Sequence, residues 1–106
     1  MKLVIVITRN DAEAAYNALR LAMYSLQQGD KVSIFLSGEG VKIEQIQDPR
    51  FDVAELAEQV LAAGGKLHAC SSSLKLRQAE SSPVCTQSGL TDYYELIKDC
   101  DKLMTV

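Results

Sequence analysis

Three cysteines, one histidine and a run of serines are the side chains of this 106-residue sequence whose types and spacing can support covalent chemistry. Cys70 stands out. It closes the segment Lys66-Leu67-His68-Ala69 and immediately precedes Ser71-Ser72-Ser73. There the pattern predicts a strand ending and a helical turn through Arg77 beginning, with the serines as N-cap candidates. Free amides and the helix dipole at such a junction favour an anion, and the thiolate is the reactive form of cysteine. His68, Lys75 and Arg77 are close in sequence and can add positive charge. The competing reading is a small buried apolar residue, because free cysteine is among the most buried types. Cys85, beside Pro83 in a polar stretch, is an incidental loop residue, a second relay thiol, or a resolving cysteine that pairs with Cys70. Cys100, three residues after Ile97, reads as core packing on the last helix.

Other chemistries lack their residues. No cysteine pair has metal-ligand spacing, and one histidine does not complete a zinc site with ligands so spread, so no metal is expected. Gly38-Glu39-Gly40 has two glycines but no further glycine pattern of a phosphate loop. No Gly-x-Ser-x-Gly elbow occurs. Glu39 is a lone carboxylate. His68, alternating with Leu67 and Ala69, reads as a wedged strand-end residue rather than a general base, and Tyr93-Tyr94 as a core and interface pair. Eleven Lys and Arg against fourteen Asp and Glu leave a formal charge of −3. Without a basic cluster, neither direct nucleic-acid binding nor a polybasic membrane face is expected. Leu3–Ile7 is too short for the apolar region of a signal peptide or for a membrane span. The expected location is the cytoplasm, where the cysteines stay reduced.

The elements that must position Cys70 follow from hydrophobic pattern. Leu3-Val4-Ile5-Val6-Ile7 is an unbroken, mostly β-branched run, the mark of a strand buried on both faces of a parallel sheet. After the polar turn Thr8–Asp11, Asn10 is the expected helix cap with Glu13 as its capping-box partner. Ala15, Ala18, Leu19, Ala22 and Leu26 then recur at helical spacing until Gly29. Lys31–Ser37 is a second strand, and a helical crossover between two such strands implies right-handed parallel pairing. Val41, Ile43 and Ile46 suggest a short helical turn. Asp52 caps a further helix, with Glu55 three residues on, Phe51 and Leu56 at staple positions, and Val53, Leu56, Val60 and Leu61 as its buried stripe. Residues 79–89 read as a loop. Thr91 or Ser88 caps a last helix with Leu90, Tyr93, Tyr94 and Ile97 inward. Strands are expected near 2–8, 31–37, 66–70 and 102–106, the first of them central.

This alternation predicts one domain over residues 1–106, an α/β three-layer sandwich on a mainly parallel sheet of four to five strands. Such sheets bind at the carboxyl ends of their strands. Thr8–Asp11, Ser37–Gly40 and Cys70–Ser73 should therefore converge, placing Asn10, Asp11, Gly38, Glu39, Gly40, Ser71, Ser72 and Ser73 around Cys70.

The stretch Ala15–Val41 resembles the DsrE/DsrF/TusD-like sulfur-relay family. It has the Ala/Leu-rich first helix around Ala18-Leu19-Arg20-Leu21-Ala22, the terminating Gly29, the strand Val32-Ser33-Ile34-Phe35-Leu36 and the turn Gly38-Glu39-Gly40-Val41. Cys70–Arg77 is similar to the family segment in which a cysteine carries sulfur seven residues before an arginine, although Ser73 stands where many relatives have a second cysteine. Gly89-Leu90 through Val106 is similar to the family's last helix and strand.

The resemblance implies a sulfur-relay protein that holds a persulfide on Cys70 and passes it between the cysteines of donor and acceptor proteins, without a metal or organic cofactor. It also implies an oligomer, a trimer or hexamer. Two other functions remain open on sequence alone. One is a non-catalytic oligomeric binding subunit. The other is a thiol redox sensor using Cys70 and Cys85.

Overall fold

Residues Leu3 to Ile7 are all buried in the computed structural model, which describes the whole chain from Met1 to Val106. Leu3, Ile5 and Ile7 belong to the main core. Val4 and Val6 alternate with them and so face the other side of the sheet. This strand, β1 (Lys2–Ile7), lies between β2 (Lys31–Leu36) and β5 (Lys102–Thr105) and pairs in parallel with both. Beyond β2 come β3 (Lys66–Cys70) and β4 (Thr86–Ser88), so the order is β4-β3-β2-β1-β5 with every pairing parallel. The apolar first strand was expected at the centre. It is interior, but β2 is the middle strand. Burial on both faces requires only a neighbour on each side and cover above and below, which β1 has without being the middle strand.

Helices α1 (Ala12–Gln27) and α2 (Val53–Ala62) cover one face. Ala15, Ala18, Leu19 and Ala22 of the first and Val53, Ala57 and Val60 of the second complete the core with the odd-numbered residues of β1. Two expectations are corrected here. The cap of α1 is Asp11, whose Oδ2 accepts from the Ala14 amide at 3.2 Å, rather than Asn10. The inner stripe of α2 is Val53, Ala57 and Val60, while Leu61 is 40 % exposed and Leu56 only half-buried. Val53, Ala57 and Val60 recur at i, i+4, i+7 and set the direction of the inner face, which leaves Leu56 and Leu61 at its two margins. The cap at Asp52 is present, its Oδ1 accepting from the Glu55 amide at 3.2 Å.

Between β2 and α2 the chain makes a 3-10 helix, Gly38–Gln45, which buries Ile43. It rests on the end of β1 so closely that a Cβ at Gly40 would lie 2.0 Å from the Ile7 carbonyl oxygen. After β3 comes the short helix α3 (Ser71–Leu76), seated by buried Leu74. The stretch read as loop contains β4. Its Thr86-Gln87-Ser88 has no apolar run to mark it, because as an edge strand it is held by backbone pairing to β3 alone.

The other face of the sheet is covered by α4 (Leu90–Asp99). Its cap is Gly89, not Thr91 or Ser88, and the Gly89 amide donates to Asp92 Oδ2 at 2.9 Å. Tyr93 turns inward and stacks on Phe35 with centroids 4.1 Å apart. Leu90, Tyr94 and Ile97 do not turn inward with it. They are 83, 60 and 43 % exposed, at the i, i+4, i+7 spacing of a separate outward stripe.

Candidate functional site

Cys70 ends β3 and occupies the N-cap position of α3, so the three serines fill the first turn instead of capping it. Three strand ends meet here. The Gly38 amide, beyond β2, donates to Ser73 Oγ at 2.9 Å. Gly38 in turn packs against the Thr8 carbonyl beyond β1, where a Cβ would lie 3.5 Å from it, and its φ of +57° is a conformation that glycine adopts freely. With its oxygen accepting from Gly38, the Ser73 hydroxyl keeps its hydrogen available for Cys70.

Partial burial pushes the Cys70 thiol up. The Ser73 hydroxyl, the Ser73 and Ser72 amides and the Arg77 guanidinium together outweigh it, so the thiol lies below its ordinary range. Arg77 is itself positioned. Its Nε donates to Glu39 Oε2 at 2.6 Å and its Nη1 to the Ser73 carbonyl at 3.1 Å. Lys42 Nζ is 3.6 Å from the same Glu39 oxygen. The Arg77 hydrogen bond, then the Lys42 charge, hold the Glu39 carboxyl below the usual carboxylate range. Glu39 therefore stays ionised and fixes the arginine across α3 from the 3-10 helix.

The structure thus brings Gly38, Glu39, Ser71, Ser72, Ser73 and Arg77 to the end of β3 and the 3-10 helix beside it. Gly40 supports them from below through its contact with β1. Asn10 and Asp11 do not join. Asp11 is spent on capping α1 and Asn10 is exposed, with no side-chain hydrogen bond to the site. Sequence reading named Ser73, Arg77, Gly38 and Glu39 but not their pairings, which span 35 and 38 residues.

Both remaining cysteines differ from expectation. Cys85 is not an exposed loop thiol: it is 2 % exposed within the core cluster. Burial first, and then the adjacent Glu44 carboxylate, push its thiol far above the ordinary range. The turn over it is closed by Ser82, whose hydroxyl donates to Glu44 and accepts the Val84 and Cys85 amides. Cys100 is not core. It sits at the C-cap of α4, partly exposed, with Sγ 3.2 Å from the Ile97 carbonyl. No three His, Cys, Asp or Glu side chains come together as a metal-ligand set.

These environments set a reactivity order. Cys70 combines access with a stabilised thiolate, Cys100 has access alone, and Cys85 has neither. Iodoacetamide between about pH 6 and 8 is expected to label Cys70 first, Cys100 next, and Cys85 only after unfolding. The Cys70 rate should reach half its plateau below the model thiol value of about 8.5. Peptide mapping of each thiol checks this, and full labelling of Cys85 while Cys70 stays free contradicts it.

A five-stranded, all-parallel sheet with helices on both faces defines the fold class of this protein. The chain belongs to the DsrE/DsrF-like family, whose pattern matches residues 1–106. It is 28 % identical over 113 aligned positions to the uncharacterized protein MJ0989 of Methanocaldococcus jannaschii, covering 99 % of each chain. It is 40 % identical over 68 positions to the uncharacterized protein MK0008 of Methanopyrus kandleri, covering 61 % of this chain and 56 % of that one. Among solved structures it is similar to the ychN protein of E. coli, with a TM-score of 0.83, full coverage of both chains and 19 % identity, a likeness of fold. No helix is long and apolar enough to cross a membrane.

Proposed function

We propose that this protein is a sulfur-relay carrier that takes up a persulfide sulfur on Cys70 and hands it to a partner cysteine. The observation that carries the reading is the position of Cys70, with the Ser72 and Ser73 amides, the Ser73 hydroxyl and Arg77 all favouring its anion. The Cys70 thiolate attacks the outer sulfur of a donor protein's persulfide. A new S–S bond forms on Cys70, the donor's S–S bond breaks, and the donor cysteine leaves as a thiolate. The reverse exchange on an acceptor thiolate discharges the carrier. Each step conserves electrons, so this exchange calls for no external oxidant, metal or organic cofactor. The amides that favour the thiolate also favour the more acidic persulfide anion. Family membership supports sulfur relay in general, and the partners are donor and acceptor proteins.

Mass spectrometry after incubation with a persulfide donor tests the proposal. A gain of about 32 Da on Cys70 is the expected result. No change at Cys70 points to a non-catalytic binding subunit. A loss of about 2 Da joining Cys70 to Cys85 points to a redox sensor, a reading that the burial of Cys85 disfavours.

We also infer a homo-oligomer, a trimer or hexamer. Leu90, Tyr94 and Ile97 on α4 and Leu103 on edge strand β5 leave large apolar side chains of this 11.6 kDa chain in water, surface that further copies of the chain would cover. Light scattering is expected to give a multiple of that mass, and a value of about 12 kDa at micromolar concentration overturns the inference.

A further inference from the structure

The fold decides which thiols of the chain can reach a sulfur held on Cys70. In β3, Leu67 and Ala69 enter the main core, so alternation places Cys70 on the opposite face of the sheet. Cys85 belongs to that main core. It also lies three residues before Ser88, the register partner of Cys70, a span of about 10 Å along the chain entering β4. Opposite faces and that span put the pair beyond the Cα separation of about 7 Å that a disulfide bridges. Cys100 is farther still. Helix α4 starts after Gly89, where a Cβ would lie 3.9 Å from Ser71 Oγ, and Cys100 caps its other end, about 15 Å of helix away. Neither of the other two thiols reaches Cys70.

The position from which a thiol could reach it is filled. Cys70 is the N-cap of α3 and Ser73 its third residue. Residues three apart in a helical turn stand about 5–6 Å from each other, inside the range that a disulfide spans. The Ser73 side chain is fixed there, its oxygen accepting from the Gly38 amide at 2.9 Å. Its hydroxyl is also among the groups that favour the Cys70 anion. A hydroxyl donates to sulfur as a thiol does, but it becomes a nucleophile only beside a general base. No histidine or carboxylate is hydrogen-bonded to Ser73.

We propose that Ser73 commits Cys70 to carrying sulfur rather than releasing it, so that a persulfide on Cys70 is discharged only by a thiol from another molecule. The inference rests on the relay reading above and adds the fate of the bound sulfur. A thiol at position 73 would empty the loaded site. Its thiolate attacks Cys70 Sγ, a disulfide forms between the two side chains, and the bond from Cys70 to the outer sulfur breaks. The outer sulfur leaves with the bonding pair as hydrosulfide, reduced as the introduced thiol is oxidised. Serine blocks that step, and the sulfur stays until a partner's thiolate attacks the outer atom. Ser73 is in this sense a specificity-determining residue: it selects transfer over release.

The test loads the protein with inorganic polysulfide, removes the excess, and follows the Cys70 peptide by mass together with released sulfide. The parent is expected to keep its gain of about 32 Da until dithiothreitol is added. It should release sulfide no faster than the double variant Cys85→Ala/Cys100→Ala. Ser73→Cys is expected to release one sulfide per chain at least about a hundredfold faster than the parent, at a rate independent of protein concentration. It should end with a bridge between positions 70 and 73. Release from the parent that slows when Cys85 and Cys100 are removed overturns the proposal. So does Ser73→Cys that keeps its sulfur as long as the parent. If Ser73→Cys does not fold, the parent and the double variant still decide. Absence of any loading at Cys70 overturns the relay reading and this inference with it, whereas loading followed by internal release overturns this inference alone.

Discussion

Cys70→Ser is expected to abolish sulfur loading, while Cys85→Ala and Cys100→Ala retain it. The serine hydroxyl nearly matches the thiol in size, so the end of β3 and the start of α3 keep their geometry. What it lacks is an anion accessible near neutral pH, and sulfur exchange runs through the anion. Loading should fall at least about a hundredfold, to the background of the assay, as read by the mass of the Cys70 peptide. Substitution of the supporting groups gives a graded result. Ser73→Ala removes the hydroxyl that helps hold the thiol down. The Cys70 pKa then rises, the thiolate fraction at pH 7 falls, and the loading rate drops about three- to tenfold with its pH midpoint displaced upward. Raising the pH should restore the rate for Ser73→Ala but not for Cys70→Ser. If Cys70→Ser loads as well as the parent, the relay is carried by another thiol and the proposed function fails.

Gly40→Ala is expected to be the most destabilising single-methyl change in the chain. The added Cβ would stand 2.0 Å from the Ile7 carbonyl oxygen and 2.7 Å from its carbon. Neither atom can retreat easily, because that oxygen accepts the Ser37 amide at 3.0 Å, the bond that ties the end of β2 to β1. Relief therefore requires moving the 3-10 helix off the sheet, which also loosens buried Ile43. A cost of about 3 kcal/mol is expected, at the upper end for overpacking, and visible as a lower urea midpoint at unchanged slope. Gly38→Ala is the contrast. Its Cβ meets only ordinary contact at 3.5 Å, so the penalty is the positive φ alone, about 1–2 kcal/mol. Equal stability of Gly40→Ala and the parent would mean that the 3-10 helix does not rest on β1 as described. Because Glu39 and Gly38 belong to that helix, Gly40→Ala should also release Arg77 and Ser73 and slow labelling of Cys70.

Much of the scaffold was legible because local rules act over short spans. An apolar run five residues long and rich in β-branched side chains reads as a strand with both faces covered. Asp52 three residues before Glu55, and the glycine at 29, mark helix ends by chemistry that needs no distant partner. Cys70 before three serines announced a thiol at a strand-to-helix junction, and the junction is there. Legibility failed where burial is decided by what lies opposite. Leu90, Tyr94 and Ile97 have the spacing of a core stripe, yet of the four residues read as inward only Tyr93 meets the sheet, against Phe35. Cys85 has a loop's neighbours in sequence and the core's neighbours in space. Strand β4 has no apolar signature because pairing to β3 defines it.

The sequence by itself determined four of the five strands and the helices between them, their parallel sense and the thiol at the third strand's end, since periodicity, caps and crossover handedness are properties of short segments. The tertiary structure alone decided that Ser73 and Arg77 meet Gly38 and Glu39, that Cys85 is sealed, and that His68 Nε2 is left without a partner. Those outcomes depend on distances between residues some 20 to 41 apart in the chain. Such distances follow from sheet register and helix packing, which act on the chain as a whole.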